Sequence, residues 1–327
     1  MRVRYLQRKD LSKIEPLVAN HKFNDYRNHR IFSKEQRVNY VLGEISDSID
    51  NGDYVFIAKD KDNILGLASL INLPWDTKHF GFRMAKIGHL IANESYSKSF
   101  KIKNILLSYI LQVCKKEAIN HISCRIETDD FSSNHCLEQK GFMIMDTLVT
   151  YLFIIHKHDI PNFKSLHRIR LFKKEDLRGL ITIAKNRFSN THFHIDPHIP
   201  KGKTDLLYAK WIRNCCKRKL ADEVFVAEKR NKPVGFFTYK LDNKLLEFTE
   251  VMALGRGIAA VLPEAKGGYV NLLIEALKKV KSELKVDLCI FDTQIWNYPV
   301  IKIWQKFKMD FVCSKYTFHK WIDNKVI

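Results

Sequence analysis

The sequence has no Cys-x-x-Cys pair, no block of five consecutive basic residues and no long apolar run. Each absence removes a class of protein. Its seven cysteines are odd in number, which with the missing Cys-x-x-Cys argues against a disulfide framework and a zinc ribbon. A reducing cytoplasmic location fits that usage, and no metal is expected. The opening MRVRYLQRKDL lacks the apolar core of a secretory signal, and no stretch approaches the roughly 18 uncharged apolar residues of a membrane helix. Membrane insertion is not expected. Basic residues come as short clusters such as Lys115-Lys116 and Lys278-Lys279, the pattern of solvated helix faces rather than of a disordered nucleic-acid tail.

What is present is length, hydrophobicity and positive charge. A chain of 327 residues with 46% hydrophobic content can bury two cores, because domains commonly run to about 100–200 residues. A formal net charge of +19 favours an anionic partner, for which a phosphate-bearing small molecule, nucleic acid and an acidic surface all qualify by charge alone. With its basic residues scattered in pairs, the chain is not expected to bind nucleic acid.

Self-comparison divides the chain. Arg2-Val3-Arg4 leading to Asp10-Leu11 recurs as Arg168-Ile169-Arg170 leading to Asp176-Leu177. The run VFIAKDKDNILG from Val55 recurs as FVAEKRNKPVG from Phe225, both patterned as hairpins with a polar turn. Gly141-Phe142 with the strand after it aligns with Lys308-Met309 and the strand around CSKYTFHKW. Three matches in one order at nearly one offset indicate two copies of one unit. The polar, proline-containing HKHDIPNFKSL over 156–166 reads as the linker, giving a first lobe over 1–158 and a second over 166–327. Strand, helical pair, hairpin, helix, strand, helix and strand follow in each copy, in the second at roughly 167–171, 176–188, 204–217, 223–240, 268–284, 287–294, 298–307 and 311–321. That order predicts an α/β fold in which each lobe is a mixed, mostly antiparallel central sheet flanked by helices.

Three segments of the second copy resemble the GNAT acyltransferases: the hairpin at Phe225, the strand GIAAVLPE with AKGGYVNLL after it, and the stretch from Asn297 to Met309. The resemblance covers about 160 residues of the second lobe, with a diluted form over the first. RFSNTHFHIDPHIPKGKTDLLYAKWIRN, LPWDTKHFGF and SKYTFHKW are further similar to nucleotide-sugar N-acetyltransferases that act on dTDP-4-amino-4,6-dideoxygalactose. That likeness implies acetyl-CoA as co-substrate, a small amino-sugar nucleotide as acceptor and a role in O-antigen or other lipopolysaccharide synthesis, and allows a homodimer.

The resemblance assigns roles to particular residues. The backbone of Ala259, Ala260, Val261 and Leu262 is expected to pair with pantetheine. Lys266, Gly267, Gly268, Tyr269 and Val270 are expected around the pyrophosphate, where a helix N-terminus offers converging N–H groups; a plain strand-to-helix turn would need the same glycines. Asn297 serves either the cofactor or the helix as its N-cap. Trp304 stands where the family has its thiolate-protonating tyrosine, and an indole N–H is no acid at neutral pH. Tyr316 is the expected replacement, with His319 second, while either is equally a packed strand aromatic. Glu250 is expected on a strand, where it either orients the water that acts as base or is simply an exposed strand carboxylate. On the acceptor side stand His192 and His194, with Tyr208, Trp211 and Arg213 at helical spacing. The first lobe has Asp130 at the asparagine position, a charge expected to repel phosphate, so it is read as a structural partner without cofactor. A GNAT-like scaffold without catalysis and an acyltransferase for another amine remain alternatives.

Overall fold

The sequence repeat returns as a repeat of elements in the computed structural model, which describes residues 1–322 apart from Arg256. The first copy runs β1 (Arg2–Tyr5), α1 (Leu11–Ala19), α2 (Lys34–Asp50), β2 (Tyr54–Asp60), β3 (Asn63–Asn72), α3 (Pro74–Phe80), β4 (Met84–Ala92), α4 (Tyr96–Lys116), β5 (His121–Glu127), α5 (Phe131–Gln139) and β6 (Met143–Ile154). The second runs β7 (Arg168–Leu171), α6 (Leu177–Arg187), α7 (His192–Ile195), α8 (Lys201–Cys216), β8 (Glu223–Lys229), β9 (Lys232–Leu241), α9 (Asn243–Thr249), β10 (Ala253–Gly255), β11 (Ala259–Val261), α10 (Gly268–Glu283), β12 (Leu288–Gln294), α11 (Tyr298–Lys306) and β13 (Asp310–Trp321). Local chemistry explains the clearest elements. Ser33 and Gln36 close a capping box that starts α2. In α10, Leu272, Leu273, Ala276, Leu277 and Val280 form the buried stripe of an amphipathic helix.

Each copy builds a mixed sheet. β4 and β5 run parallel in the first, β10 and β12 in the second, and the other registered pairs are antiparallel. The parallel pairs are those joined through a long helix, as a parallel connection requires.

The compact units do not coincide with the copies. One comprises Met1–Leu148 with the chain from Cys313, the other Val149–Val312. Unit 1 therefore orders its strands β1-β2-β3-β4-β5-β13, and unit 2 orders them β6-β12-β10-β9-β8-β7. Val149, Tyr151 and Phe153 of β6 enter the core of unit 2, whereas Phe318 of β13 enters that of unit 1. The division expected at 156–166 is corrected accordingly. The reason is that a final strand with alternating pattern can complete either sheet, and alternation alone does not say which. The segment over 156–166 belongs wholly to unit 2 and is fastened there. Lys157 Nζ lies 2.7 Å from an Asp310 carboxylate oxygen, and Leu166 N–H donates to Asn271 Oδ1 at 3.0 Å. Among the described residues no helix is long and apolar enough to cross a membrane.

Candidate active site

In unit 2 the sheet opens between two of its strands. β10 pairs with β12 only through Ala253–Leu288 and Leu254–Cys289; beyond Gly255 the chain turns away and β11 pairs with β9 instead. Thr238 pins this bulge, because its Oγ1 accepts from Ile258 N–H at 2.8 Å while its N–H donates to Ile258 O at 3.0 Å. The backbone approaches so closely that a Cβ on Gly257 would stand 1.8 Å from Thr238 O. Only glycine fits. The backbone edge of Ala259–Val261 that faces away from β9 is thus left without a strand partner among the described residues.

A cleft of about 510 Å³ occupies the opening and passes through the sheet. Phe188, Tyr208 and Trp211 line it on one face, where they pack on the core beneath α6 and α8. Phe237, Leu254 and Leu277 line it on the other, within the core beneath α10. Alternation along β12 sends Phe291 to the α10 face, so Ile290, Asp292 and Gln294 point to the α6–α8 face. Asp292 is the one carboxylate among the described residues lining the cleft. It is exposed, and Oδ1 accepts from Thr150 Oγ1 at 2.6 Å.

The start of α10 meets the needs of an anion. Gly267 is its N-cap at φ 77°, with no side chain capping the helix, and Gly267 and Lys266 are exposed. Asn297 begins α11 but does not cap it; its Nδ2 donates to Thr293 Oγ1 at 2.8 Å, on the cleft wall. Trp304, buried, donates its indole N–H to the Tyr269 hydroxyl at 2.9 Å. That bond uses the phenol oxygen as acceptor and leaves the phenol's own proton to donate. Burial holds the Tyr269 pKa above its ordinary value, and the indole bond partly offsets this.

Several expected residues lie elsewhere. Tyr316 belongs to unit 1, where it packs on the core and against Phe318, and His319 lies buried in the same strand. Neither is part of unit 2. Glu250 is on no strand. It is exposed at the end of α9 in a left-handed conformation (φ 59°) and outside the cleft lining. Arg213 is exposed, two residues and so about 200° around α8 from Trp211, which turns it away from the cleft. His192 and His194 are not lining residues; His194 stands behind Tyr208, with Nδ1 2.8 Å from Thr191 Oγ1 and Nε2 3.4 Å from Asp205. Desolvation lowers the His194 pKa, against the raising effect of Asp205.

The cleft adds Arg187, Asn190, Asp292 and Trp296, which sequence reasoning passed over. The alternation of LCIFDTQ was a usable signal for Asp292. In the first lobe, Asp130 is no free charge. Lys103 Nζ lies 3.0 Å from both its oxygens, and the Ser133 hydroxyl donates to it at 2.6 Å. Lys103 holds the Asp130 pKa down against the opposing effect of burial.

No protein-family model matches the chain, and no curated protein matches it by sequence. Solved structures do. A GCN5-related glucosamine N-acetyltransferase region of a fungal multi-domain GH3 β-N-acetylglucosaminidase aligns over 98% of this chain, at 12% identity and a TM-score of 0.63. This chain spans 38% of that one. A GCN5-related N-acetyltransferase from Sphaerobacter thermophilus aligns over 98% of this chain and 95% of its own, at 13% identity and a TM-score of 0.62. A tandem GNAT protein from the clavulanic acid biosynthesis pathway aligns over 99% and 100%, at 11% identity and a TM-score of 0.58. At such identities the likeness is one of fold, and the chain has the fold of a tandem pair of GNAT units.

Proposed function

We propose that unit 2 is an acyl-CoA-dependent N-acyltransferase acting on the amine of a small molecule, specifically an amino-sugar nucleotide used in cell-surface polysaccharide synthesis. The observation that carries this reading is the cleft through the sheet, which the first turn of α10, a helix with no side-chain cap, enters at Tyr269 on one side, with stacked aromatics and a carboxylate on the other. The backbone edge of Ala259–Val261 holds pantetheine, the start of α10 with Lys266 takes the pyrophosphate, and Asn297 faces the thioester arm. Phe188, Tyr208 and Trp211 offer flat faces to a sugar or base, and Arg187 supplies positive charge for a diphosphate.

The amine nitrogen attacks the thioester carbonyl, the new C–N bond forms and the C–S bond breaks. Asp292 takes the proton that the nitrogen loses, directly or through one water. Tyr269 gives a proton to the departing thiolate, in the role expected at position 304, since a phenol carries its proton at neutral pH. Asp292→Asn and Tyr269→Phe should each lower turnover by about 10²–10⁴-fold with acyl-CoA affinity little changed. Calorimetry with acetyl-CoA followed by a screen of amino-sugar nucleotides tests the whole reading. A chain that binds no CoA thioester refutes it, and one that binds without transferring to any amine is a scaffold.

A further inference from the structure

The cleft has an arm that holding pantetheine does not account for. The start of α10 lies at the far end of β11, since a Cβ on Gly268 would touch Val261 Cγ1 at 3.5 Å. The helix then returns antiparallel to that strand. The lining continues past the bulge to Ala276, Leu277 and Val280 of α10, with Leu254, Cys289 and Tyr239 facing them from the sheet. From Tyr269 to Val280 the helix rises by about 16 Å at 1.5 Å per residue. All six of these side chains are almost wholly buried, so the arm reaches into the core. It is apolar except for Tyr239, whose buried hydroxyl has no hydrogen-bond partner among the described residues. Burial raises the Tyr239 pKa, so the hydroxyl stays protonated.

A thioester whose pantetheine follows β11 brings its carbonyl to the bulge. From there the acceptor branch turns through the sheet toward Asp292, and the buried arm continues ahead. We propose that the arm takes the acyl chain, and that the donor is an acyl-CoA with an acyl group longer than acetyl. This deepens the acyltransferase reading and rests on it. An acetyl group ends at the bulge, whereas a chain of several carbons continues along the apolar lining between α10 and the sheet and removes its methylenes from water there.

Calorimetry on the full chain with CoA, acetyl-CoA and hexanoyl-CoA reads the inference without needing the acceptor. Hexanoyl-CoA should bind at least about tenfold tighter than acetyl-CoA, because four added methylenes are buried. Ala276→Leu puts a branched side chain into the arm. It should bring hexanoyl-CoA affinity down to that of acetyl-CoA, leave CoA affinity unchanged and keep or raise the Tm. Equal binding of the two thioesters by the parent chain overturns the long-chain donor while leaving the acyltransferase reading in place. Failure of all three ligands to bind overturns that reading instead. Should Ala276→Leu not fold, the comparison on the parent chain decides alone.

Discussion

His21 in unit 1 shows how far a residue's chemistry depends on partners distant in sequence. Its Nδ1 lies 3.1 Å from Asn93 Oδ1, and burial, aided by the Lys103 ammonium and by His89, pushes its pKa down to about 4 against the opposing effects of Asn93 and Asp130. Unfolded, the ring binds a proton below about 6.5. Between these values the unfolded chain holds a proton that the folded chain does not, so stability falls as pH drops from about 6.5 to about 4 and is fully present above that window. The full effect is at most about 3 kcal/mol. In His21→Gln, urea midpoints at pH 7.5 and pH 4.5 should lie closer together than in the parent; equal separations would show that His21 titrates normally. The neighbouring Lys103–Asp130 pair was invisible in the sequence for the same reason. Nothing in YSKSFKIKN marks one lysine as the buried partner of a carboxylate 27 residues on, so Asp130 read as a bare charge. Trp304 read as a lost tyrosine because its bond to Tyr269 spans 35 positions.

Elements were far more legible. The expected helices over 268–284 and 298–307 are α10 and α11 to within a residue, because apolar spacing and a local start signal agree in both. The strand over 257–264 was only partly readable. Only Ala259–Val261 of it is strand, set off from β10 by a bulge, and that bulge follows from Thr238, a contact 20 residues away. Glu250 was misplaced on a strand because a left-handed helix end leaves no periodic trace. The start of α10 gives a test at this scale. Gly267 is a helix N-cap, and aspartate is a favoured N-cap that tolerates positive φ. Gly267→Asp should therefore fold, yet its carboxylate would occupy the N–H groups that a pyrophosphate needs and repel it. Affinity for acetyl-CoA should fall by at least about tenfold, from the 1.4 kcal/mol or more that one charge at a helix end and its hydrogen bonds supply. Gly267→Asn, with the same shape and no charge, should lose less. Equal affinity in all three proteins would move the phosphate site away from α10.

At the scale of the molecule, the sequence revealed two copies but not which last strand completes which sheet. The choice rests on particular side chains. Val149, Tyr151 and Phe153 of β6 enter the core of unit 2, and Phe153 is fully buried. The repeat offset of 167 between β6 and β13 places Tyr316, Phe318 and Lys320 at the same three positions. If β13 closed the sheet of unit 2, a lysine would replace the fully buried phenylalanine, and burying an unpaired ammonium is strongly disfavoured. In unit 1, Lys320 is only partly buried and lies 5.9 Å from the Phe142 ring. The fragment 149–312 should therefore fold cooperatively and bind acyl-CoA as the full chain does. The fragment 166–327, the second sequence copy, lacks β6 and offers β12 as an open edge, with β13 as an ill-matched substitute. It should aggregate or unfold at markedly lower urea concentration. Gel filtration and urea unfolding of the two fragments side by side test this, and a monomeric 166–327 as stable as 149–312 would return the boundary to the linker.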